Sequence, residues 1–113
     1  MPRRKVNYES APAAVVDAVE RLGRNIELAR KRRQIREDDL AERAGISRVT
    51  MRRVERGELG TGIGAYAAVL WALGFQRDLE EILSPERDLE GQTLEAARYG
   101  SRVRPAKGLN DDF

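Results

Sequence analysis

The chain contains neither cysteine nor histidine. Without cysteine there is no disulfide framework and no thiolate site, a composition compatible with the cytoplasm. Without histidine the commonest metal ligand and the commonest general base are missing, so an enzyme is not expected and no catalytic residue is assigned. Long apolar runs are absent as well. None approaches the roughly 20 residues that cross a bilayer, so no membrane partner is expected. Met1-Pro2-Arg3-Arg4-Lys5 is basic but lacks the apolar stretch of a secretory signal. Asp38, Asp39 and Glu42 do not have calcium-loop spacing, and a solvated helix N-terminus explains them better than a metal site. Gly60, Gly62 and Gly64 are not followed by Gly-Lys-Ser/Thr, which excludes a phosphate loop. No cofactor is expected.

What is present is charge, unevenly placed. The net charge is only +2 over 113 residues, yet residues 21–56 hold twelve Lys/Arg against six Asp/Glu. Residues 57–97 hold two against eight. A near-neutral chain is thus divided into a basic half and an acidic half. The length suits one domain with unstructured ends.

Periodicity predicts an all-α domain of five short helices. Val15, Val19, Leu22, Ile26 and Ala29 recur by threes and fours, giving an amphipathic helix from Ala13 to about Arg33. Leu40, Ala41 and Ala44 give a short helix over 38–44, ended by Gly45. Ser47 is a good N-cap for the next helix, which keeps Met51 and Val54 on one side and stops at Gly57. Tyr66, Val69, Leu70 and Leu73 form the stripe of a fourth helix, broken by Gly74. Leu79, Ile82 and Leu83 mark a fifth over 77–83. Residues 1–12 read as a flexible arm, 13–84 as the domain, and 85–113 as an extension that is largely tail. One more turn or two of helix around Leu89 to Ala97 is only weakly signalled.

The segment 43–56 places five arginines within fourteen residues. With Ser47 set at zero on a helical wheel, Met51 and Val54 fall within about 40° of it, and Val49, Arg52 and Arg56 between roughly 140° and 200°. Arg48 and Arg53 flank that outer face. One side packs, and the other presents guanidinium groups beside one apolar residue. A helix of this width fits the major groove of B-DNA, and arginine is the side chain that reads guanine bidentately. Helix 38–44, the tight turn at Gly45 and helix 47–56 therefore read as a helix-turn-helix with its recognition helix second. The blander alternative is an arginine-rich solvated helix in an ordinary bundle.

Leu40-Ala41, Ala44-Gly45-Ile46-Ser47, Val54-Glu55-Arg56-Gly57 and Leu70-x-x-Leu73-Gly74 together resemble the lambda-repressor/Cro-type (XRE) helix-turn-helix family. The resemblance covers about residues 22–83. It implies a five-helix fold that binds a palindromic operator in double-stranded DNA as a homodimer. Carried over by position, Ser47, Arg48, Val49, Arg52 and Arg53 are base-facing or groove-facing. Arg32, Arg33, Arg36 and Arg56 flank the groove as phosphate contacts. Arg30 and Glu55 match a pair that in the family forms an internal salt bridge. Arg36 and Glu37 depart from the family, standing where it usually has a Ser or Thr cap and a phosphate-touching Gln. Tyr66, Trp71, Leu73 and Phe75, or the region after Pro85, are the candidate dimer surface.

The string Leu83-Ser84-Pro85-Glu86-Arg87-Asp88, with Gly91, Arg102-Val103-Arg104 and the end Leu109-Asn110-Asp111-Asp112-Phe113, is similar to HipB-like regulators paired with HipA-type kinases. That similarity implies an antitoxin that represses its own operon, with Arg102, Val103, Arg104, Leu109 and Phe113 as a partner-binding tail. Two alternatives stand beside it: a stand-alone XRE-type transcriptional regulator, and an adaptor that uses the scaffold to bind proteins. An adaptor has no need of Arg48, Arg52 and Arg53 on one exposed face.

Overall fold

The structure is a computed structural model that describes residues 10–100; these form six α-helices and no strand. The helices are α1 (Ala13–Arg32), α2 (Glu37–Ala44), α3 (Arg48–Arg56), α4 (Ile63–Leu73), α5 (Gln76–Glu80) and α6 (Leu89–Gly100). The chain divides into two compact units, with the boundary between Leu79 and Glu80. No helix of the described residues is long and apolar enough to cross a membrane.

The first unit is built on eight buried apolar residues. These are Ile26 from α1, Leu40 and Ala41 from α2, Met51 and Val54 from α3, and Tyr66, Val69 and Leu73 from α4. Val19, Leu22, Ala29, Ala44 and Leu70 pack against this cluster from the rim. Each helix contributes a narrow stripe, as the spacing in the sequence predicts. Val15 does not join the stripe. It is 45% exposed, because the first turns of α1 run past the end of the core.

The crossing of α1 over the end of α3 depends on two glycines. A Cβ on Gly23 would lie 2.6 Å from the Gly57 nitrogen and 2.7 Å from the carbonyl oxygens of Val54 and Glu55. A Cβ on Gly57 would collide with the backbone of Val19 and Glu20, and Gly57 also has φ +68°. The two helices therefore meet backbone to backbone. This contact brings Arg30 of α1 within reach of Glu55 of α3.

The fifth helix is shorter than the sequence suggests. It covers Gln76–Glu80, and 81–83 form a turn in which Leu83 takes φ +60°. Ile82 and Leu83 are 66% and 82% exposed, outside any core. Gly64 lies inside α4, and Gly60, Gly62 and Gly64 all have negative φ, so the backbone there places no demand for glycine.

Within the second unit, the helix that the sequence signals only weakly around Leu89 to Ala97 is formed. Asp88 Oδ1 accepts the Gly91 backbone N–H at 3.0 Å, the bond that starts a helix, and α6 follows for twelve residues. Gln92 Nε2 donates to the Pro85 carbonyl at 2.7 Å, which ties the helix to the preceding turn. None of its residues is buried. Residues 1–9 of the expected arm and residues 101–113, including Arg102, Val103, Arg104, Leu109 and Phe113, lie outside the described residues.

Candidate nucleic-acid interface

Two helices and a three-residue turn position the arginine face. Gly45 closes α2 with φ +73°, a left-handed exit that side chains with a Cβ adopt at a cost. The Ile46 N–H donates to the Ala41 carbonyl at 3.0 Å, folding the chain back. Ser47 then opens α3. Its Oγ accepts the Thr50 N–H at 3.0 Å and donates to Thr50 Oγ1 at 2.9 Å. Ser47 is exposed, and its hydroxyl is committed to starting the helix.

The division of α3 into two faces follows the helical wheel. Met51, Val54 and Glu55 are buried, whereas Arg48, Val49, Arg52, Arg53 and Arg56 are exposed. Val49, at 55% exposure, is the apolar residue among the guanidinium groups. On the inner face, Arg30 Nε and Nη2 donate to the two Glu55 carboxylate oxygens at 2.6 and 3.2 Å. Arg30 Nη1 also donates to the Ile35 carbonyl at 2.9 Å, so one guanidinium joins α1, α3 and the segment before α2. This is the internal bridge that the family resemblance implies. The Glu55 hydrogen bond holds the Arg30 guanidinium above its ordinary value. Burial pushes the Glu55 carboxyl up, against the downward pull of Arg30, and Glu37 pushes it further in the same direction as burial.

The exposed arginines are not bare. Asp38 Oδ2 lies 3.3 Å from Arg48 Nη1 and 3.9 Å from Arg36 Nη2. Glu37 Oε1 lies 3.7 Å from Arg52 Nε. Glu58 faces two of them, Arg53 Nε at 3.9 Å and Arg56 Nη1 at 3.6 Å. Every arginine of α3 thus has a carboxylate beside it. The role of Glu58 is not read from its place in the sequence, since it falls just past Gly57. A chain reversal at that glycine brings it back, and Tyr66 pins the reversal by donating its hydroxyl to the Glu58 carbonyl at 2.9 Å. Burial raises the Tyr66 phenol, and the charge of Glu58 adds to it.

The flanking arginines of α1 divide. Arg32 is exposed at the last turn. Arg33 donates to the Ala29 carbonyl at 2.9 Å and lies 5.5 Å over the Phe75 ring, a cation–π contact that gives it an internal role. Of the aromatic and apolar residues expected on a dimer surface, Tyr66 and Leu73 are buried, Phe75 is partly covered, and Trp71 is 59% exposed. No group of His, Asp or Glu among the described residues is arranged to hold a metal ion.

A family model described as a helix-turn-helix domain matches residues 21–83, more than half of the chain. No curated protein and no solved structure matches it. The matched span holds α2, the turn at Gly45, the arginine-faced α3 and the Arg30–Glu55 bridge behind it. By that match and that geometry, the chain belongs to the helix-turn-helix domain family, of the XRE-like type, and carries its DNA-binding fold.

Proposed function

We propose that the protein is a sequence-specific transcriptional repressor that binds a palindromic operator as a homodimer, with α3 in the major groove and no catalytic activity. The observation that carries this reading is the division of α3. Its inner face is locked by Met51, Val54 and the Arg30–Glu55 bridge, while Arg48, Val49, Arg52 and Arg53 stand exposed on one rigid helix. A recognition element has to be held rigidly by groups that do not take part in reading, and this helix is. Arg48 and Arg52 have the donors for guanine edges, Val49 offers an apolar contact to a thymine methyl, and Arg32, Arg36 and Arg56 are placed for phosphates. One module of this size buries only about 600–1,000 Å² on DNA, which favours two copies on one site. The finer reading, an antitoxin of HipB type that represses its own operon and pairs with a HipA-type kinase, is supported by the similarity of the segment after Leu83. It is tested by whether such a kinase co-purifies.

The direct test is footprinting on the DNA upstream of the protein's own gene, together with selection from a randomised duplex library. The expected result is a protected site with two-fold symmetry. Binding with equal affinity to every duplex, or to none at low salt, contradicts the proposal and leaves the protein-binding adaptor.

A further inference from the structure

The carboxylates that face the α3 arginines belong to the reading surface itself. Glu37 is the least exposed of them. Its side chain is 30% exposed, against 45% for Asp38 and 42% for Glu58, and it shares a polar cleft with Glu27, Arg52, Glu55 and Arg56. Its charge bears on Glu55, whose carboxyl it pushes up, and the cleft holds these two carboxylates beside the two arginines. Its contact with Arg52 is made at Nε, on the side edge of the guanidinium.

We propose that Glu37 is a specificity-determining positioning residue: it holds Arg52 by the Nε edge and competes with DNA phosphate for it, so that Arg52 rewards base edges and not backbone. The proposal rests on the DNA-binding reading above. A guanidinium reads guanine O6 and N7 with two donors, and the two terminal amino groups of Arg52 form such a pair even while Nε faces a carboxylate. The charge balance differs for phosphate. When an arginine leaves a carboxylate for a phosphate, the phosphate releases a condensed cation, but the ion pair is broken and the abandoned carboxylate faces the backbone with its charge uncompensated. Affinity for random DNA therefore gains less from it than from an unpaired arginine. A free arginine has no such penalty and binds any backbone. Glu37 therefore suppresses sequence-independent binding through Arg52 while leaving guanine recognition in place.

The test is Glu37→Gln, which keeps the shape and removes the charge. Folding is checked by a thermal melt, and binding is measured on a mixed-sequence duplex and on a duplex selected by the wild-type protein. Binding to mixed-sequence DNA should tighten on the order of five-fold, with a steeper salt slope. Affinity for the selected duplex should change less, so the ratio between the two falls. In an Arg52→Ala background the effect of Glu37→Gln should vanish, because its target is gone. If Glu37→Gln leaves mixed-sequence binding and the salt slope unchanged, Glu37 does not hold Arg52 back. If the same gain persists without Arg52, Glu37 merely repels phosphate, and the proposal is equally overturned. Failure of every variant to bind any duplex at low salt defeats the DNA-binding reading itself, and this inference with it.

Discussion

Glu55 concentrates the opposing forces of this fold in one side chain. It is a carboxylate in the core, 8% exposed as a residue, two bonds from Arg30 and beside a second carboxylate, Glu37. Removing one partner of such a pair leaves the other charge buried and alone. Glu55→Ala should cost on the order of 3 kcal/mol in a denaturant melt. Glu55→Gln should cost distinctly less, since the amide oxygen still accepts from Arg30 and the repulsion from Glu37 is gone. The pH dependence follows from the direction of the shift. A carboxyl whose folded value is raised contributes stability that is complete below its ordinary value of about 4.3 and is lost as pH rises through the folded value. The wild type should therefore lose stability relative to Glu55→Gln as pH rises through that window. A difference between the two that is flat with pH would mean that Arg30 offsets burial in full. The bridge itself was legible only through family resemblance, because nothing in the spacing of residues 30 and 55 says that α1 crosses α3 there.

That crossing belongs to the scale of helices. Gly23 lies in the middle of α1, where glycine is worse than alanine by about 1 kcal/mol on propensity alone. Helical periodicity passes over it without comment. The structure supplies the reason, since its missing Cβ is where the α3 exit lies. Gly23→Ala should be destabilising by about 2 kcal/mol despite the better propensity, because Gly57 and the carbonyls of Val54 and Glu55 are backbone and cannot step aside. A melt showing Gly23→Ala to be neutral or stabilising would contradict the close crossing. Elsewhere the helices follow the sequence well. Leu40, Ala41, Met51, Val54, Val69 and Leu73 are buried where their spacing puts them, and the left-handed exits fall at Gly45, Gly57 and Gly74. The sequence misleads where burial does not decide the outcome. Ile82 and Leu83 look like a helical stripe and are exposed, while α6 forms with no buried residue at all. Its start is a local event at Asp88, read from a capping bond and not from hydrophobic pattern.

Over the whole molecule, the charge map takes on a physical meaning. The basic block of residues 21–56 contains the exposed face of α3, and carboxylates temper that face at Glu37, Asp38 and Glu58. The arginine face could be read from the helical wheel alone. Its partners could not, because they come from α2 and from the loop beyond Gly57, and only the fold brings them together. The central claim is that the first turns of α3 read bases and that Arg32, Arg36 and Arg56 hold the backbone. The most direct measurement compares Arg52→Ala and Arg32→Ala by affinity across a salt series, on a duplex selected by the wild type and on mixed-sequence DNA. Arg52→Ala should lose roughly 1–3 kcal/mol on the selected duplex and little on mixed sequence, flattening preference at one base pair per half-site. Arg32→Ala should weaken both alike and lower the salt slope by about one. If Arg52→Ala instead weakens both duplexes equally, α3 is an electrostatic anchor and not a reading helix, and the account fails at its centre.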